Sequence, residues 1–274
     1  MSGKSPFDAI FDGDNFDPMG AAQKHMRADL PKRFWSTVDL EQTDAGYLIQ
    51  LDGRSARTPA KRRLLSLHRP VAEAMVAEWS NVKEVLDPAA LPVTRLVNVA
   101  IDYAESAAEK ITDDIVKYAS SDLLCYRADQ PEGLVRRQAQ TWDPYLDWIA
   151  KTHNCALKVG AGIMPVEQSD QTLSAVRAAA LKSAIDHEVR AALHLATSLT
   201  GSAVLGLSLF EKSFRAEDIW AAAHIDEDWN RELWGFDAEA EAARQAKKRD
   251  FDAAALVIAA ARGNAANGHQ RRTP

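Results

Sequence analysis

Four acids and two tryptophans lie within the twelve residues 224–235, which have the sequence HIDEDWNRELWG. Grouped carboxylates could hold a metal ion or form a catalytic acid–base pair. Both kinds of site need side chains that converge on one point, whereas Asp226, Glu227 and Asp228 are consecutive and would leave a helix in different directions. The spacing therefore argues against a metal or catalytic site and leaves two interpretations, a surface that binds another protein or a face that is packed in the core.

A helix over residues 215–234 would have two distinct faces, because successive side chains advance by about 100° around its axis. Ile225, Trp229 and Leu233 fall on one side and are predicted to pack into the core. The opposite side carries a predicted partner-binding surface, which consists of Glu227, Trp220, Arg231, Trp234 and, at its border, Asp226. Tryptophan and arginine are enriched at the centres of protein interfaces. The alternative is that a second layer of helices covers this face.

Within that surface, Arg231 follows Glu227 by four residues, which is the spacing of an ion pair along a helix. An exposed pair of this kind stabilises a protein by only about 0.3–0.5 kcal/mol. A carboxylate placed between two tryptophans therefore contributes little to folding. We expect Glu227 to contact a partner and Trp229 to be structural.

Cofactor and metal motifs are incomplete elsewhere in the chain. Gly201 and Gly206 have the glycine spacing of a phosphate-binding loop, but the lysine that must follow is absent. His187 and His194 share a helix face, but two histidines alone make a poor metal site. We therefore predict no cofactor, no metal and no catalytic residue.

Two further groups have both a reactive and an ordinary interpretation. Arg54 and Arg57 could clamp a phosphate or carboxylate, although the exposed face of a hairpin carries arginines without such a role. Cys125 could be a nucleophile beside a histidine, although a free cysteine is more often an inert core residue.

Composition limits the classes of partner and compartment. The net charge is −6, from 33 Lys and Arg against 39 Asp and Glu, which argues against a nucleic-acid-binding protein. The two cysteines form no CxxC pair and no disulfide framework, which indicates a reducing compartment. No secretory signal is visible, so we expect a bacterial cytoplasmic protein, or a mitochondrial matrix protein in a eukaryote.

Residues 191–210 contain no Asp, Glu, Lys or Arg and could cross a membrane if they were helical throughout. The segment nevertheless carries many polar groups and no aromatic residues at both ends. We therefore predict a buried central helix without membrane insertion, with Leu199, Val204 and Leu207 at its centre.

The hydrophobic period changes along the chain from that of strands to that of helices. Alternating residues predict strands at 34–40, 47–51, 54–58 and 63–67, and the dipeptide Asp52-Gly53 predicts a tight hairpin turn. A helix is expected from Pro70 to about residue 81, and a lone strand at 156–159. Later helices are predicted at 93–104, 107–121, 132–151, 169–185, 187–211, 215–234 and 238–261.

These elements predict an α+β protein, with a small N-terminal antiparallel β-rich domain followed by a larger, mainly α-helical domain. The predicted segments are a flexible arm at 1–31, the β-rich domain at 32–88, the helical domain at 89–262 and a disordered tail at 263–274.

The sequence also resembles the assembly chaperones for the α subunit of F-type ATP synthase, a mitochondrial and alphaproteobacterial family. The resemblance extends over about residues 32–235 and depends on the order and spacing of several short segments, at 33–35, 51–59, 77–79, 87–88, 92, 94–96, 121–127, 142–144, 199–202, 226–229 and 234–235. Lys61 and Arg62 depart from it, because the family pattern leads us to expect a Gly or Asn turn there.

The resemblance implies a protein that is not an enzyme. It would bind the free α subunit and prevent its aggregation before assembly with the β subunit, without hydrolysing a nucleotide. The alternative is a small-molecule enzyme with a pocket between the two domains, using Asp122, Arg127 or the acids at 226–228.

Overall fold

The computed structural model describes residues 30–104, 106–162, 164–235 and 237–270, with the backbone alone for 264–270. The predicted arm at 1–31 therefore lies almost wholly outside the described residues. The described chain forms two compact units. The first comprises residues up to Ser106 and those from Ala260 onward, and the second is Ala107–Ala259.

The first unit is built on a small antiparallel sheet. Its strands are β1 (Val38–Thr43), β2 (Gly46–Leu51), β3 (Arg54–Ser55) and β4 (Leu65–Ser66), and β2 pairs with all three others. Between β2 and β3, Asp52 and Gly53 both have positive φ angles, 48° and 73°. This is the backbone of a type I′ turn, so the predicted Asp-Gly hairpin is confirmed.

Helix α1 (Arg69–Asn81) packs on β1 and β2 of this sheet. Its buried face includes Val71 and Met75, and the ring of Trp79 lies 5.0 Å from that of Trp35 in an edge-to-face contact. A 3₁₀ turn (Pro88–Ala90) leads to α2 (Pro92–Val99) and a π-helical segment (Ala100–Ala104).

The first unit extends beyond the predicted domain boundary at 88–89 because α2 and the π-helical segment bond to it. The indole Nε1 of Trp79 donates to Thr94 at 3.1 Å, and the hydroxyl of Thr58 donates to the Asp102 carboxylate at 2.7 Å. The carboxylate of Glu78 accepts from the first backbone amides of α2. Burial raises the pKa of Glu78.

The second unit is helical. Its helices are α3 (Ala108–Ser120), α4 (Glu132–His153), α5 (Asp170–Ser183), α6 (His187–Thr200), α7 (Ala203–Glu211), α8 (Ala216–Ala223) and α9 (Ile225–Trp234), and α10 (Ala238–Gln270) begins in it. Two short parallel strands, β5 (Tyr126–Arg127) and β6 (Gly160–Ala161), complete it, so the lone strand predicted at 156–159 lies slightly later and is paired. The α+β fold class, with strands first and helices after, is confirmed.

Helices α6 and α7 form the centre of the second unit. Every residue of α7 from Ala203 to Leu209 is buried. The single helix predicted at 187–211 is wrong, because Gly201 has a left-handed φ of 66° and Ser202 caps a new helix through the amide of Leu205. Val204 and Leu207 are buried as predicted, whereas Leu199 is only half-buried.

Helix α10 continues beyond the predicted end at 261, through residues predicted to be a disordered tail. Alanines on both sides of Gly263 favour this continuation, because alanine has the highest helix propensity. Within the described ranges, no helix is both long and apolar enough to span a lipid bilayer.

Candidate functional site

The segment predicted as one helix over 215–234 is two helices, α8 and α9, which are separated at His224. The backbone of His224 has φ −120° and ψ 20°, outside the helical region. Its Nδ1 donates to the carbonyl of Trp220 at 2.8 Å, and its ring lies 3.9 Å from the Trp220 ring. Burial lowers the pKa of His224, so the ring is neutral at pH 7.

This break overturns part of the predicted surface, because the angle of 100° per residue does not continue across it. Trp220 was predicted to face outward, but it is only 7% exposed and packs against Phe251, with ring centroids 5.3 Å apart. Leu233 was predicted to face the core, but it is 59% exposed. Ile225 is buried as predicted, whereas Trp229, also predicted to pack into the core, is only half-buried.

Helix α4 forms one hydrogen bond with the end of α8 and one with the beginning of α9. The indole Nε1 of Trp142 donates to the carbonyl of Ala222 at 2.8 Å, at the end of α8. The side-chain amide of Gln138 donates to Asp226 at 2.7 Å. Asp226 was predicted at the border of the partner-binding surface, but one oxygen of its carboxylate already accepts this hydrogen bond within the protein.

The same helix contacts the later part of α9. A Cβ atom on Gly133 would lie 2.8 Å from the ring of Trp229, so the absence of a side chain there allows the indole to pack closely. One turn further along α4, the guanidinium of Arg137 donates to both carboxylate oxygens of Glu232, at 2.8 and 2.9 Å. Contacts with α4 thus extend along most of the inner side of α9.

Helix α10 holds α9 from another side. Arg244 donates through both terminal nitrogens to the two carboxylate oxygens of Asp228, and this contact holds the pKa of Asp228 below its usual value. Arg231 pairs with Glu241 at 3.0 Å and with Asp228 at 3.5 Å. The predicted pairing of Arg231 with Glu227 is therefore replaced by contacts to other acids.

Six residues of α9 are exposed, namely Glu227 and the run 230–234. Trp234 is 85% exposed at the end of the helix, and Leu233 beside it is 59% exposed. The Glu227 side chain is 61% exposed, and its carboxylate lies 3.9 Å from Nε2 of His224. We call Glu227, Arg231, Leu233 and Trp234 the α9 surface.

The α9 surface combines apolar area with charge. A soluble protein rarely exposes large adjacent apolar side chains unless they bind something. Trp234 and Leu233 supply that area at the helix end, where Gly235 terminates α9 with a φ of 92°. Glu227 and Trp234 are seven residues apart and thus lie on the same side of the helix.

The residues considered for an enzyme have structural contacts instead. Asp122 is fully buried and accepts hydrogen bonds from the amides of Leu124 and Val204 at 3.1 and 3.2 Å. Burial raises its pKa to about 6, against the opposing effect of those bonds. Arg127 pairs with Asp143 at 2.8 Å and lies over the ring of Trp142.

The surroundings of the two cysteines make both thiols unreactive. Cys125 and Cys155 are both free and buried, and burial raises the pKa of each thiol. A thiol held in its protonated form is a poor nucleophile. Among the residues that the structure describes, no three His, Cys, Asp or Glu side chains are grouped as a metal site requires.

Sequence reasoning missed Leu233 and the contacts that orient α9. The bonds from Gln138 to Asp226 and from Arg137 to Glu232 join residues about 90 positions apart, and a single sequence contains no signal for them. Leu233 could have been recognised from its position, because it lies two residues before the glycine that ends the helix. Side chains in a last helical turn often extend beyond the packed core.

The chain is similar to several known proteins. The family described as ATP12 chaperone protein matches residues 32–150. A crystal structure of a putative chaperone from Agrobacterium tumefaciens is 42% identical, with a TM-score of 0.79, and the match covers 90% of this chain and 92% of that one. The protein atp12, mitochondrial, of Schizosaccharomyces pombe is 21% identical over 216 residues, which is 74% of each chain.

Two solved structures extend this relation. One is a mutant of P. denitrificans Atp12p, which is 35% identical with a TM-score of 0.75 over 83% of this chain and 96% of its own. The other is Atp12 from Paracoccus denitrificans, which is 36% identical with a TM-score of 0.75 over 83% of this chain and 97% of its own. By this similarity over most of its length, the chain belongs to the ATP12 chaperone family.

Proposed function

We propose that this protein is a chaperone in the assembly of F-type ATP synthase, and that its client, the protein it binds, is the free α subunit. Membership of the ATP12 chaperone family supports the general role. The particular client is what the sequence resemblance implies. The α subunit would be held before it meets the β subunit, so that it does not aggregate.

The observation that carries the proposal is the α9 surface. An unassembled subunit exposes apolar area that its neighbour normally covers, and such area drives aggregation. Trp234 and Leu233 offer an apolar contact of the kind that would cover part of it. Aromatic anchors of this type commonly contribute the largest share of binding energy in protein interfaces.

Glu227 gives the contact its charge preference. Its carboxylate is exposed in the free protein, and the one basic side chain within 4 Å of it among the described residues is the neutral ring of His224. When a partner covers it, the carboxylate loses water and needs a positive group opposite. We therefore expect the client to present Lys or Arg beside an apolar patch.

In this proposal the protein is not an enzyme and needs no nucleotide. A chaperone that only covers a surface is released when a competitor binds the same surface more strongly. The β subunit is that competitor, because the covered surface is the one used in assembly. We propose action in the bacterial cytoplasm, or in the mitochondrial matrix for eukaryotic relatives; the S. pombe relative is named as mitochondrial.

Aggregation of isolated α subunit, followed by light scattering with and without this protein, tests the proposal directly. Scattering should fall in proportion to added protein up to a one-to-one ratio, with no ATP present. A preassembled complex of α and β subunits should not bind. Equal scattering in both samples would refute the proposed function.

A further inference from the structure

A hairpin of the first unit brings two arginines directly opposite each other. Arg57 and Arg63 form an antiparallel bridge just after β3. The flanking backbone hydrogen bonds, both of 2.9 Å, run from Thr58 to Arg62 and from Leu64 to Ala56. Arg57 and Arg63 are therefore a non-hydrogen-bonded pair, the position in which opposed side chains are closest. Like charges at such a position destabilise the hairpin.

The chain around this pair is strongly basic. Residues 53–72 contain six Arg and Lys and no Asp or Glu. Five of the six precede α1, and all five are exposed: Arg54, Arg57, Lys61, Arg62 and Arg63. We call these five residues the basic hairpin. Neither Arg57 nor Arg63 forms an ion pair with an acid among the described residues, so their charge is not neutralised within the described chain.

Two acids of the same unit form hydrogen bonds to other groups. Asp102 accepts from the Thr58 hydroxyl and from the Ala60 amide at 3.1 Å, which fixes the turn. Glu41, on β1, is separated from the hairpin by β2 and accepts from Gln50. Both acids thus accept hydrogen bonds from groups other than the opposed arginines.

The turn of the hairpin contains a lysine with a strained backbone. Lys61 has a φ of 68°, in the left-handed region that favours glycine or asparagine. Its carbonyl accepts from the Arg57 guanidinium at 2.8 Å, and its amide donates to Thr58 at 2.9 Å. A glycine or asparagine adopts this backbone with less strain, so Lys61 adds a positive charge to the turn at some cost in backbone energy.

We propose that the basic hairpin is a second contact surface for the client and binds an acidic segment of it. This inference rests on the proposed function, because the partner class, a protein, comes from there. Charge complementarity selects an acidic partner, since exposed arginines bind carboxylates through two parallel hydrogen bonds. A nucleic acid is disfavoured because the whole chain carries a net charge of −6.

The substitution Arg63→Glu tests the inference, because it moves stability and binding in opposite directions. It converts an opposed like-charge pair into an opposed ion pair, so the melting temperature should rise. Binding to isolated α subunit should weaken by about three- to tenfold at low salt, and the difference should shrink as salt screens it. A merely structural arginine would not lower binding while raising stability.

Arg136→Glu is the matched control, because Arg136 is also exposed, lies in the second unit and undergoes the same change of charge. Weaker binding by the Arg63 variant alone supports the inference. Unchanged binding by that variant, or equal weakening by both, overturns it. If the wild-type protein itself fails to bind α subunit, the proposed function is refuted, and this inference falls with it.

The acidic N-terminal residues of the same chain are the competing occupant, because Asp8, Asp12, Asp14 and Asp17 precede the described part. A protein lacking residues 1–29 distinguishes the two. If removal of residues 1–29 strengthens binding of α subunit and abolishes the effect of Arg63→Glu, the basic hairpin binds its own chain and the inference is wrong. If the effect of Arg63→Glu persists, the client is the occupant.

Discussion

Truncation of Leu233 to alanine should separate client binding from folding. Leu233 is 59% exposed in α9, and the second unit offers a close match in Leu181, which is 58% exposed in α5. Both are leucines on helices, with nearly equal exposure. Leu233→Ala should weaken binding of the α subunit, whereas Leu181→Ala should not.

The magnitude follows from the area that a client could cover. Burying a whole leucine side chain contributes about 1.5–3 kcal/mol, so covering the exposed part of Leu233 contributes about 1–2 kcal/mol. At about 1.4 kcal/mol per factor of ten, the dissociation constant should rise about 5- to 30-fold. Stability should change by less than about 0.5 kcal/mol in either variant, because neither residue is in the core.

Titration calorimetry with isolated α subunit gives the binding constants, and urea unfolding gives the stabilities. Equal weakening of binding by Leu233→Ala and Leu181→Ala would show that the loss is not specific to α9. A Leu233→Ala protein that binds like the wild type would refute the assignment of the α9 surface. A large loss of stability would mean that Leu233 is packed in solution.

Three further substitutions test other parts of the reasoning. Glu227→Lys should abolish binding in a pull-down with α subunit yet leave the circular dichroism melt nearly unchanged, because the carboxylate is exposed; normal binding would make the acid incidental. Trp229→Ala should lower the free energy of unfolding by about 2–4 kcal/mol in urea, less than for a fully buried tryptophan, because the ring is only half-buried against Gly133. Asp122→Asn should flatten the dependence of melting temperature on pH. The pKa of Asp122 is about 6 in the folded protein and 3.8 ordinarily, so the folded protein binds this proton more tightly than the unfolded chain does. The contribution of Asp122 to folding stability is therefore full below pH 3.8 and is lost as the pH rises through 6. An unchanged slope between about pH 4 and 6 would contradict this.

The local signals in the sequence predicted the hairpin and β2, but the first strand was predicted at 34–40 and lies at Val38–Thr43, and β3 and β4 are shorter than predicted. Asp52-Gly53 predicts a type I′ turn because both residues tolerate positive φ, and the structure has that turn. The alternation of apolar residues predicts β2, where Ile49 and Leu51 are buried. These features depend on neighbouring residues, so a single sequence contains them.

The breaks within helices were harder to predict. At Gly201 the local signals were present, because a glycine followed by a capping serine ends one helix and begins another. Residues 191–210 around them carry no charge, and this continuous uncharged segment led to the prediction of a single helix. At His224 no glycine or proline is involved. The break coincides with the hydrogen bond from Trp142 to Ala222, a contact across 80 positions, and it determines which tryptophan is exposed.

The attachment of α9 on two sides determines which partner loses conformational entropy when the two proteins bind. Gln138 and Arg137 fix one side of the helix and Arg244 another before any client is present. Little backbone or side-chain entropy is then lost by the chaperone on binding, apart from that of Trp234, Leu233 and Glu227. If the proposed function holds, the ordering penalty falls mainly on the client, and the flexibility of the client then limits the affinity. A client that is already folded at the contact should bind more tightly than one that is still disordered there.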